Sequence, residues 1–148
     1  MSEEQATTTL RTPWHLWLVG VLALLWNAMG AFDYLMTETR NEGYMSRFTP
    51  EQLEYFYGFP AWVVASWAIA VWGGVLGAIF LLLRKRYAVG TFLVSLLAMV
   101  VTMVQNYVLS EGVEVTGASG LAFTAVIFVV ALLLYLYARA MRAKGLLT

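Results

Sequence analysis

An uncharged apolar run at residues 61–83 constrains this chain more than any other stretch. It holds about 23 residues with no Asp, Glu, Lys or Arg, and its one polar side chain is Ser66. As a helix rising about 1.5 Å per residue it covers roughly 34 Å, enough to cross a hydrocarbon core of about 30 Å. Pro60 stands before it, and Arg84-Lys85-Arg86 closes it. Three adjacent cations are too costly to draw into hydrocarbon, so they fix that end at a water face. The rest of the chain can be oriented from there.

Composition supports the membrane reading. Charged residues are 12% and hydrophobic ones 61% of the 148 residues, against about 25% charge in a soluble domain. Too little polar surface is left to cover a water-soluble globule. A formal net charge of zero excludes a nucleic-acid partner held by overall phosphate attraction. With no Cys and one His, neither a disulfide nor a thiolate or multi-His metal site can form within the chain.

Three further spans follow from the same criteria. Residues 1–12 are polar and expected to be flexible. Thr12-Pro13 has the form of a helix start, with Thr12 as cap, and a first helix is expected at about 14–36. The others are placed at about 60–83, 87–109 and 118–137, leaving 139–148 as a basic tail. The transmembrane domain is thus 13–138. The fold class expected is all-α: a four-helix polytopic membrane bundle with a short interfacial helix in the first outer loop. In that loop Thr49-Pro50-Glu51-Gln52 has capping-box form, predicting a helix at about 50–57 ended by Gly58. Between Ser110 and Gly117 a short acidic loop is expected. Aromatic side chains crowd the region from Tyr44 to Trp62; they read as an interfacial belt or as a lid over a site.

With four spans, Arg11, Arg84, Lys85, Arg86, Arg139, Arg142 and Lys144 share one side, and only Arg40 and Arg47 face the other. The excess of Lys and Arg on the inner side of membrane proteins then puts both termini in the cytoplasm, and the expected location is a bacterial inner membrane.

Helix contacts in lipid depend on close packing, because lipid tails are as apolar as Leu. Gly73, Gly74 and Gly77, with Ser66, Ala70 and Ala78, form such a close-approach face, either within the chain or as a homodimer seam. Polar side chains gather toward the outer half: Asn27, Asp33, Ser66, Gln105, Asn106 and Thr124, with Ser119. Asp33 is the one carboxylate inside a span, which makes it either an anchor or a functional group. Asn27, at mid-depth, needs a partner. Met29, Met36, Met99 and Met103 are read as gap-fillers. His15 could ligate haem only with a ligand from elsewhere. The sequence carries no nucleophile–base pair, phosphate loop or zinc signature, so neither an enzyme nor a bound cofactor is expected.

The run Thr12-Pro13-Trp14-His15-Leu16-Trp17, then Leu25-Trp26-Asn27-Ala28-Met29-Gly30-Ala31-Phe32-Asp33-Tyr34-Leu35-Met36-Thr37, carries a resemblance, as do Phe48-Thr49-Pro50-Glu51-Gln52 and Gly58-Phe59-Pro60-Ala61-Trp62. They resemble a group of small bacterial inner-membrane proteins, often labelled "sugar transporter", over residues 12–86, and in pattern beyond. The resemblance implies small-solute transport and transfers no functional residue. Three functions therefore stand as expectations: a small-solute transporter or binding unit acting as an oligomer, an accessory or assembly subunit of a larger membrane complex, and lipid or quinone handling at the aromatic face. Membrane lipid is the partner common to all three, and none involves nucleic acid.

The absence of native cysteine gives a clean topology test. Glu111→Cys should react with a membrane-impermeant maleimide added to intact cells, and Lys85→Cys only after permeabilisation.

Overall fold

The computed structural model describes residues 11–148; most of the N-terminal segment expected to be flexible therefore lies outside the described residues. Four helices are long and apolar enough to cross a membrane. Helix α1 is Trp14–Glu38. Two short helices follow, α2 at Glu42–Met45 and α3 at Pro50–Tyr57. Then come α4 at Ala61–Leu82, α5 at Tyr87–Val104 and α6 at Gly112–Ala143. No strand occurs among the described residues.

Helix α4 is the centre of the bundle. It packs broadly on α1 on one side and on α5 on the other, and α6 lies against α5. Its glycines explain how it serves two neighbours. A Cβ on Gly74 would overlap the Asn27 side chain of α1; one on Gly77 would sit 2.7 Å from the Phe92 ring of α5. At Gly73 an added Cβ would meet Ser95 of α5 at 3.2 Å. Adjacent stripes of one helix thus admit two different partners. Ser95 also donates across the α4–α5 contact to the Ala70 carbonyl at 2.5 Å.

All four long helices meet in one core at the basic end. Leu16 and Ala23 of α1, Ala78 and Leu81 of α4, Ala88, Val89 and Phe92 of α5, and Leu134, Ala138 and Met141 of α6 are buried together. The four alanines let the backbones close in. Toward the acidic end α6 is less covered: no residue between Gly112 and Leu134 is buried and Phe123 is 59% exposed, although the Phe123 ring lies 6.4 Å from that of Trp26 on α1. The outward faces, Leu18, Leu22, Leu25 and Met29 on α1 for example, carry far more apolar surface than a soluble monomer exposes.

Helix ends depart from expectation in four places. Thr12 does not cap α1; its hydroxyl accepts from the Arg84 guanidinium at 2.8 Å, and Pro13 takes the cap position without a side-chain bond. Helix α5 gives way to a π-helical turn, Gln105–Leu109. The expected acidic loop is partly helical, because Gly112–Thr116 forms a turn before Gly117. Gly117 itself breaks the line with φ 75° and ψ −175°, a conformation open essentially to glycine. Finally, the basic tail is folded. Helix α6 continues to Ala143, Gly145 reverses the chain at φ 78°, and Leu146 N–H bonds the Met141 carbonyl at 3.0 Å. This is the 6→1 closure of a Schellman end. Leu147 is then buried in the core and Thr148 N–H reaches the Arg84 carbonyl at 3.0 Å. Alanine, methionine and arginine are strong helix formers, so nothing stops α6 at 137.

The α3 expectation holds. Thr49 and Gln52 form a reciprocal capping box, and Gly58 is the C-cap, with φ −88° instead of a left-handed turn.

Overpacking a tight helix contact costs about 1–3 kcal/mol. Gly74→Leu and Gly77→Leu should each lower the thermal unfolding midpoint of the purified protein, whereas Gly90→Ala, whose Cβ meets nothing within 4 Å, should leave it unchanged.

Candidate functional site

The candidate site is the acidic end, where residues 39–60 fold over the ends of the spans. Asn41 starts the cover by accepting from Tyr44 N–H at 2.9 Å. Helix α2 then aims Tyr44 back at α1, and its hydroxyl donates to the Asp33 carboxylate. Arg47 stacks on the Tyr44 ring at 4.1 Å from its centroid and on Phe48 at 5.0 Å. Arg40 covers Tyr57 at 4.3 Å. Both arginines that this end carries are therefore held on aromatic faces, a favourable placement for a planar cation.

A second anchor comes from α3. Tyr55 donates to Asn106 Oδ1 at 2.9 Å, and its hydroxyl lies 2.8 Å from Ser110 Oγ. Ser110 in turn donates to the Gln105 carbonyl at 2.7 Å. That carbonyl belongs to the π turn, and such turns concentrate at functional sites. Gln52 adds a longer bond to the Val115 carbonyl at 3.4 Å. Rings in edge-on or tilted contact join the two anchors: Tyr44 to Phe48, Phe48 to Phe56, and Phe56 to Tyr55 and Phe59. From Phe59 the chain of rings passes to Trp67 of α4 and Tyr34 of α1.

The six polar side chains singled out in the sequence are not one cluster. Asp33 and Asn106 each take a hydroxyl from the cover, at separate anchors. Asn27 folds back on its own helix, donating to the Ala23 carbonyl at 2.8 Å. It does so because Gly74 opposite presents bare backbone, so the interhelical partner expected for it is replaced by a contact. Ser66 likewise donates within its helix, to the Trp62 carbonyl at 2.9 Å. Thr124 pairs with the Tyr107 hydroxyl at 2.7 Å, tying α6 to the π turn. Gln105 contributes its backbone carbonyl. Every buried side-chain nitrogen or oxygen among the described residues has a partner. Sequence reasoning did not single out Tyr44, Tyr55, Tyr107 or Ser110 individually. The capping box at Thr49 was the available signal for Tyr55, since it fixes the helix that carries it.

At the opposite end His15 Nδ1 lies 2.6 Å from the Tyr137 hydroxyl, pinning α1 to α6. The chain matches no family model, no curated protein and no solved structure.

Burial, and after it the hydrogen bond and negative charge of Asp33, push the Tyr44 phenol up from 10.0 to about 12. The tyrosine is therefore favoured neutral in the folded chain. Its contribution to stability is complete below about pH 10 and declines as the pH rises toward 12. In Asp33→Asn, the phenol that ionises at the highest pH in ultraviolet titration should move down while staying above 10, because burial remains, and Tyr44→Phe should remove that step.

Proposed function

We propose that this chain is a small-solute binding unit of a transporter that works as an oligomer, with its solute site at the acidic end beneath residues 39–60. The observation that carries the reading is the pair of tyrosines: Tyr44 and Tyr55, both from the cover, each occupy a polar group at the end of a span, Asp33 and Asn106. A hydroxyl that fills a carboxylate or amide in the closed form can be exchanged for a hydroxyl of a solute when the cover lifts. The rings of Phe56 and Phe59 contact Tyr55, and those of Trp67 and Tyr34 continue from Phe59. Rings next to an amide and a carboxylate suit a polyhydroxylated solute, whose apolar ring faces stack and whose hydroxyls bond. The resemblance to small membrane proteins labelled as sugar transporters points the same way. Four helices are few to enclose a path, so a second copy would complete it.

A second reading, an accessory subunit of a larger membrane complex, is favoured by one observation. The acidic half of α6 is unburied from Val113 to Leu133, leaving a helix side that another protein's span can cover. Purification in mild detergent with a stable stoichiometric partner would support it.

Reconstituted liposomes separate the two. Wild-type protein should take up one or more of a panel of radiolabelled mono- and disaccharides, and Asp33→Asn and Asn106→Ala should each reduce uptake at least tenfold while remaining folded. A strictly monomeric protein with no uptake of any panel member would overturn the transport reading.

A further inference from the structure

An open groove runs between α4 and α5 on the outward face of the bundle, away from the acidic end. Trp72, Gly73 and Leu76 form one wall, and Gly90, Thr91 and Val94 the other. Two features make the groove. Gly73 lets α5 approach closely, and Gly90 removes a side chain just where the wall would otherwise fill, since a Cβ there meets nothing within 4 Å. Its lining is apolar in effect, because the Thr91 hydroxyl is spent on the Tyr87 carbonyl at 2.7 Å.

The groove leads to charge. Arg86, Gly90 and Val94 recur at four-residue spacing, so they lie along one stripe of α5, about 6 Å of rise apart. Arg84-Lys85-Arg86 is the turn joining the two walls. Lys85 and Arg86 are exposed there, while Arg84 is engaged with Thr12. The Phe80 and Tyr87 rings, 5.7 Å apart, stand between the turn and the groove. An apolar slot in a membrane-crossing surface with two exposed cations at its water end matches one molecule: a lipid with an anionic head.

We propose that the α4–α5 groove is a binding site for one anionic glycerophospholipid, with an acyl chain lying over Gly73 and Gly90 and its phosphate at Lys85 and Arg86. The acyl chain fills space that no side chain of this protein occupies. The phosphate meets cations that are exposed and have no partner among the described residues. The site depends on the chain spanning a membrane and is independent of any solute site at the acidic end.

Native mass spectrometry of the full-length protein tests it, with phosphatidylglycerol and phosphatidylcholine of identical acyl chains as probes. One phosphatidylglycerol should be retained per chain, in preference to phosphatidylcholine by roughly tenfold, as two interfacial cations near a phosphate imply. Gly90→Leu should abolish that retention, and so should Val94→Phe, which fills the slot from an exposed position. Lys85→Gln with Arg86→Gln should remove the preference between head groups while leaving weak retention of both lipids. Equal retention of the two lipids by the wild type would overturn the proposal. So would unchanged phosphatidylglycerol retention in folded Gly90→Leu and Val94→Phe, or a loss of dimer in those variants with lipid retention intact, which would make a second copy the occupant.

Discussion

The structure depends on how closely α4 can approach its neighbours. Between helices in lipid the hydrophobic effect contributes little, so attraction must come from van der Waals contact and from hydrogen bonds across short gaps. Gly74 makes room for Asn27, and Gly77 for the Phe92 ring. The Ser95 hydroxyl reaches the Ala70 carbonyl only because the two backbones are near each other at Gly73. With α1 and α5 fixed on α4, the short connections bring Leu16, Leu81, Phe92 and Met141 into a single core at the basic end. The reversed C-terminal segment completes that core with Leu147.

The two ends of the bundle are built on different principles. At the basic end, apolar side chains from all four helices interlock, and the Arg84 carbonyl and guanidinium tie down residues distant in sequence, Thr148 and Thr12. At the acidic end α6 is little buried, and a cover of aromatic rings lies over the ends of the spans. That cover is held at its polar points by Tyr44 on Asp33 and Tyr55 on Asn106. The bond to the Asn106 amide contributes about 0.5–1.5 kcal/mol and that to the Asp33 carboxylate about 1.5–3 kcal/mol, less than a packed core. The acidic end therefore has less holding it closed than the core has, and the proposed solute site lies there.

Much of the architecture was legible along the chain. The long, nearly uncharged runs are each about as long as a membrane core is thick, and the Arg84-Lys85-Arg86 turn punctuates them, so helix number and order followed from hydrophobicity alone. The helix at Pro50–Tyr57 was legible because a capping box is a local device, complete within four residues. The fate of Asn27 was not: whether an amide bonds across helices or folds back depends on what stands opposite, here a glycine about 47 positions away. Thr12 illustrates the same limit. It has the local form of a cap, yet a cation from the α4–α5 turn takes its hydroxyl.

By itself, then, the sequence determined four apolar helices, their boundaries to within a few residues at most ends, and the segregation of positive charge to one end. These are properties of single segments, set by transfer of side chains out of water and by local backbone preferences. Only the tertiary structure decided which polar groups meet, that the acidic half of α6 stays largely uncovered, and that the basic tail folds back into the core. Those outcomes rest on distances between segments remote in sequence, and no local pattern encodes such distances.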